Sequence, residues 1–178
     1  DPAEYDFGDS EFSVSLWFYR TEETYGWNSN LVSKWNTDVS SGTNEWNVLT
    51  SSTSTNRFPA FDIEIGNTKY SAVSQIEWSM FKWHHLVAIR KSEQLELYLD
   101  GILVGNASVP NSPVNNIAGR NLQFGKRDNN ENLASGFLQG SKMDDVMIFD
   151  RVLSPEEITI LHRDGGPIED RELPSDLI

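Results

Sequence analysis

An all-β fold is predicted, a jelly-roll β-sandwich of two antiparallel sheets with a short C-terminal helix. Two observations carry it, and a third supplies the helix. Residues 82–104, KWHHLVAIRKSEQLELYLDGILV, pack three strand-like runs around two turns. Short alternating runs separated by Ser, Thr, Asn and Gly recur along most of the chain, the pattern of many short strands closed into two layers. One helix-start signal stands near the C-terminus.

The elements follow in order. FSVSLWFY at 12–19 alternates Phe12, Val14, Leu16 and Phe18 against Ser13, Ser15, Trp17 and Tyr19, the period-two pattern of a half-buried strand. Short runs at 30–35 and 45–49 come next. FPAFDIEIG at 58–66 sets Phe61, Ile63 and Ile65 against Asp62 and Glu64. Another strand is expected at 69–73. Residues 84–90 form a dense apolar run, and Leu95, Leu97 and Leu99 alternate with Glu96, Tyr98 and Asp100. Asp100-Gly101 then signals a tight hairpin, because a primed turn needs the positive φ that Gly adopts freely. Residues 102–104 restart a strand, and 121–125 and 142–149 complete the series. Ser154-Pro155-Glu156-Glu157 reads as a capping box with proline in the first turn. A helix is expected over 155–162, ended by Gly165-Gly166-Pro167. The sandwich domain is set at 1–166, with 167–178 as a C-terminal tail or linker.

The chain has 178 residues, a net charge of −13, 38% apolar residues and no cysteine. That length supports one domain with a real core. No run approaches the roughly 20 apolar residues of a membrane helix, so no membrane insertion is expected. The polar opening Asp-Pro-Ala-Glu does not read as a signal peptide, and the chain is taken as a mature protein or an excised domain. Without cysteine there are no disulfides and no thiolate chemistry. The acidic balance disfavours nucleic acid, whose phosphates need a basic face. It suits either a soluble, self-repelling surface or acidic loops that hold a hard cation.

Four motifs resemble a laminin-G-like domain of the concanavalin A-like lectin/glucanase superfamily. DSEFSVSLWFY is similar to its first core strand, and KWHHLVAIRKSEQLELYLDGILV to its central strand and L-Y-x-D-G hairpin. LQFGKRDNNENLASGFLQG resembles its strand, variable loop and F-x-G approach, and KMDDVMIFDRVLSPEEITIL its closing strand and helix. Met143 stands where the pattern usually has Ile, a tolerable volume swap, and His85 stands where a smaller or different residue is common. The resemblance implies the sandwich fold. It leaves function open, because this fold hosts lectins, adhesion modules and glycosidases.

Catalysis is not expected. Retaining glucanases of the superfamily carry E-x-D-x-E on one strand, whose alternation sets all three carboxylates on one face. Here Ala60 stands in the first position, and only Asp62 and Glu64 match. The histidines are His84, His85 and His162. His84 and His85, adjacent on a strand, point to opposite faces. No nucleophile elbow, phosphate loop or zinc motif is present.

The expected role is non-catalytic carbohydrate binding by a module of a secreted or cell-surface protein, its partner a polysaccharide or glycan, with other domains of a larger chain possible. A protein-adhesion or spacer module and a degenerate glycoside hydrolase are the alternatives. Of six tryptophans, Trp17 and Trp83 are expected in the core because they lie inside strong strand patterns. Trp27, Trp35, Trp46 and Trp78 lie beside polar loops. An exposed aromatic ring flanked by polar side chains suits the apolar C–H face of a sugar. The ligand-binding candidates are therefore Tyr25 and Trp27, Trp46 with Arg57 on the following strand, and Asp128 and Asn130 in a polar loop. That loop has the one-three-five spacing of a calcium site, but Leu133 and Gln139 break the EF-hand pattern. A structural calcium is expected instead at Asp9 and Asp144, since the resemblance makes their strands neighbours.

Overall fold

The structure is a computed structural model and describes residues 2–21, 29–36, 42–53, 56–126 and 141–167. A 3-10 turn, Pro2–Tyr5, leads into β1 (Phe12–Tyr19) and β2 (Ser29–Ser33). Then come β3 (Trp46–Thr53), β4 (Asn56–Ile65), β5 (Thr68–Val73), β6 (Trp83–Arg90) and β7 (Gln94–Leu99). The last elements are β8 (Ile102–Ser108), β9 (Gln123–Phe124), β10 (Lys142–Phe149) and α1 (Pro155–Asp164). One sheet has the order β10-β1-β6-β7-β8 and the other β5-β4-β3-β2-β9, with every pair antiparallel. The predicted two-sheet sandwich with one helix is what forms.

Alternation fills the space between the sheets. Phe12, Val14, Leu16 and Phe18 of β1 meet Trp46, Val48, Phe61 and Ile63 of the facing sheet, all fully buried. The rings interlock. Phe12 stacks on Phe7 at 4.1 Å and meets Phe61 edge-on at 5.9 Å, and Trp78 meets Phe18 edge-on at 6.1 Å. These are favoured aromatic geometries.

The Asp100-Gly101 hairpin has the predicted form, with φ of 51° and 79°, the positive values a primed turn needs. Asp100 is reinforced by its side chain: Oδ1 accepts from the His85 backbone N–H at 3.0 Å and Oδ2 lies 2.8 Å from His84 Nδ1.

The helix also begins as expected. Ser154 Oγ accepts from Glu157 N–H at 3.2 Å, and Glu157 accepts in return from Ser154 N–H at 2.8 Å. α1 lies on the outer face of the first sheet, where Ile158 and Leu153 pack on Val87 and Ile89. β6 is consequently buried along its whole length, which is why its sequence is apolar on both faces.

Two boundaries differ from expectation. No strand is predicted between the runs at 45–49 and 58–66, yet β3 runs to Thr53 and β4 starts at Asn56. Pairing along the hairpin (Ser51 with Phe58, Thr53 with Asn56) holds this Ser/Thr-rich run extended. β8 likewise continues to Ser108, paired with Gln94.

Candidate functional site

The helix covers only part of the outer face of the first sheet. Beyond its C-terminal end the outward β1 side chains Trp17 and Tyr19 remain partly accessible, and strand pairing sets them beside two buried residues of β6: Trp17 opposite His85, Tyr19 opposite Trp83. A cleft of about 1090 Å³ opens there. Trp17, Tyr19, Phe81 and Trp83 line it together with His162, Gly165, Gly166 and Pro167 at the helix end. Lys82, Asp100, Arg163 and Asp164 supply its charges.

The rings are ordered by close contact. Trp17 stacks on His162 at 5.6 Å, His162 on His85 at 5.8 Å, and Tyr19 meets Trp83 at 5.6 Å. Lys142 Nζ lies 5.6 Å over the Tyr19 ring, a cation–π distance. The helix end fits only because it carries glycine. A Cβ on Gly166 would stand 2.9 Å from the Trp17 ring, and its φ of +93° disfavours a side chain independently.

Burial pushes the His85 pKa down to about 4; the neighbouring His162 charge adds to this, and Asp100 and Asp145 oppose it. The ring accordingly stays neutral at physiological pH. At Asp100 burial alone would raise the pKa. The His84 hydrogen bond and charge, the His85 N–H and Lys82 outweigh it, and the net shift is downward.

The sequence-derived candidates are placed differently. Trp46 is fully buried in the core, and its Nε1–H donates to Tyr5 O at 3.2 Å. It presents no ring to a ligand, which corrects its assignment. Arg57 pairs with Ser52, whereas Trp46 pairs with Ile63 at the other end of the β3–β4 hairpin. The two do not form one cluster, and Arg57 lies 3.8 Å from Glu77. Tyr25, Trp27, Asp128 and Asn130 lie outside the described residues.

Asp9 and Asp144 are held at opposite ends of β1. Asp144 sits opposite Trp17. Asp9 is held near Phe12, because Arg90, the partner of Phe12, donates to Asp9 O at 3.0 Å. Phe12 and Trp17 are separated by roughly 16 Å of extended strand, so the two aspartates do not share an ion. The antiparallel direction of β10 is the physical reason. Among the described residues no group of three or more His, Asp or Glu side chains is gathered to hold a metal ion.

Asp62 and Glu64, the partial glucanase pattern, have local partners. Glu64 accepts from the backbone N–H groups of Gly42 and Asn44, each at 2.7 Å, and Asp62 lies 3.1 Å from Lys69 Nζ. Glu64 thereby fastens the loop before β3.

Strand phase, rather than strand strength, is the sequence signal that marks the Trp17 side of the cleft. Trp17 shares its face with Ser13, Ser15 and Tyr19, opposite the apolar set, so the alternation itself points it outward. Trp83 is buried, as expected, but it lines the cleft.

The family model of the concanavalin A-like lectin/glucanases superfamily, in its laminin-G form, matches residues 2–159. The chain belongs to this superfamily. A search of curated proteins by sequence finds no match. Among solved structures, the chain is similar to domain 4 of AbnA, a GH43 extracellular arabinanase from Geobacillus stearothermophilus solved in complex with arabinotriose. The identity is 16%, the TM-score 0.60, and the match covers 87% of this chain and 67% of that one. It is also similar to the binding domain of botulinum neurotoxin DC in complex with SialylT, at 15% identity and TM-score 0.58, covering 87% of this chain and 35% of that one. The binding domain of Paraclostridial Mosquitocidal Protein 1 matches at 16% identity and TM-score 0.56, with 89% and 38% covered. The chain thus spans about a third of the toxin domains. At these identities the likeness establishes the concanavalin A-like fold.

Proposed function

We propose that the protein is a non-catalytic carbohydrate-binding module, part of an extracellular or cell-surface protein, and that its ligand lies in the cleft beside the helix end. The observation that carries this reading is an open cleft lined by the rings of Trp17, Tyr19, Phe81 and Trp83 together with the charged side chains of Lys82, Asp100, Arg163 and Asp164. A sugar ring offers apolar C–H faces for such rings and hydroxyls for the polar groups around them. Two structural relatives support the reading: an extracellular arabinanase domain was solved with arabinotriose and a toxin binding domain with SialylT. Among the described residues no helix is long and apolar enough to cross a membrane.

Calorimetric titration against a panel of oligosaccharides tests it. A sugar in the panel is expected to bind, and Tyr19→Ala is expected to weaken it by about tenfold, the loss of one aromatic contact of about 1.4 kcal/mol. Binding left intact by Tyr19→Ala would place the ligand elsewhere.

A further inference from the structure

Phe81 combines two features that rarely coincide. It is 64% exposed, and its φ is 58°. A bulky residue in the left-handed region is an outlier that folding does not favour. Apolar burial does not compensate here, because the ring stands in solvent at the lip of the cleft. The turn is held on both sides. Phe81 N–H donates to Arg20 O at 2.8 Å, and Ser79 N–H donates to His84 Nε2 at 2.9 Å. His84 in turn is oriented by Asp100, 2.8 Å from Nδ1; with that nitrogen donating, Nε2 is left as the acceptor Ser79 needs. Met80 packs against the core between these anchors. A strained residue whose surroundings over-determine it is a pointer to function.

The charges of the cleft point to the class of ligand. Lys82 and Arg163 are matched by Asp100 and Asp164, and at the margin Lys142 over the Tyr19 ring is matched by Asp145 at Gly166. Arg163 grips Asp164 through Nε and a terminal nitrogen, at 2.6 and 2.7 Å, and Asp100 is engaged by His84 and lies in the field of Lys82. The lining therefore presents no net positive charge, on a chain that carries −13 overall. An anionic sugar would meet a repulsive field.

We infer that the cleft takes a neutral saccharide chain and that Phe81 is held at its lip to stack on it. The inference rests on the carbohydrate-binding reading above. The test is a panel of neutral oligosaccharides (arabinotriose included) beside sialylated and uronate-bearing ones, with Phe81→Asn and Phe81→Tyr compared for affinity and melting temperature. Asn tolerates the left-handed conformation, so F81N is expected to melt at the same temperature or a few degrees higher, while its affinity falls about tenfold. F81Y, which keeps a ring able to stack, is expected to retain more of the affinity than F81N does. A drop in melting temperature for F81N would make Phe81 structural and overturn its assigned role. Preference for the anionic sugars, weakening with added salt, would overturn neutrality while leaving the carbohydrate-binding reading intact. Absence of binding to every sugar would overturn both.

Discussion

Gly166 donates its backbone N–H to the Asp145 carboxylate at 2.9 Å. Asp145 occupies a bulge in β10, with φ of 46°, where the register against β1 shifts between Ser15 and Trp17. The bond ties the segment after the helix to the sheet and lays Gly166 against Trp17. The helix-end lining of the cleft thus depends on one carboxylate. Gly166→Ala, which adds a Cβ 2.9 Å from the Trp17 ring at a φ of +93°, is expected to destabilise the protein by about 1–3 kcal/mol and to weaken saccharide binding. Asp145→Ala is expected to cost about 1 kcal/mol through the lost hydrogen bond. Urea unfolding of both variants measures these.

Asp100 joins the hairpin to the turn that carries Phe81. Asp100→Ala removes the acceptor of the His85 N–H and leaves Nδ1 of the buried His84 ring without its partner, an expected loss of about 2 kcal/mol. Asp100→Asn, which tolerates the positive φ, is expected to lose less. The ordering of the two urea midpoints is the check.

Much of this was legible in the sequence, and the exceptions share a cause. Asp100-Gly101, the Ser154 capping box and the alternation in β1 are local patterns, and all three form as read. Which aromatic rings are covered is not local. Trp46 is buried because a second sheet lies over it, and Trp17 is only partly covered, by His162 and Gly166 at the helix end. The pairing of Asp9 with Asp144 failed on strand direction, which motif order does not state. The stack of His162 on His85 and Trp17 depends on where the helix docks, and no spacing in the chain announces it.

Stability should fall with acid through His85. The folded ring has its pKa lowered to about 4 from an ordinary value of 6.5. The unfolded chain takes up a proton as pH falls through 6.5, while the folded protein does so only near 4. The contribution is therefore complete above about pH 6.5 and is lost as pH drops toward 4, by roughly 3 kcal/mol at most. Glu45, whose pKa burial raises despite its backbone and Lys34 contacts, acts in the opposite sense, since acid relieves its buried charge. The difference between the parent and His85→Gln isolates the histidine: unfolding free energies at pH 7.5 and pH 4.5 should differ less in the variant.

Trp46 separates core from site. Trp46→Ala is expected to cost about 3–5 kcal/mol, the range for a large ring removed from a packed core. Trp46→Phe, folded at low temperature, is expected to bind saccharide as the parent does. Thermal melts and calorimetry on the two variants distinguish this from a direct contact with ligand.

The most direct test of the cleft uses the six tryptophan indole N–H groups as reporters in a two-dimensional nitrogen–proton NMR spectrum during saccharide titration. The Trp17 indole signal, beside the helix end, should move in proportion to saturation, with Trp83 following it and the core signals of Trp46 and Trp78 still. Shifts confined to Trp27, with Trp17 unmoved, would contradict the account.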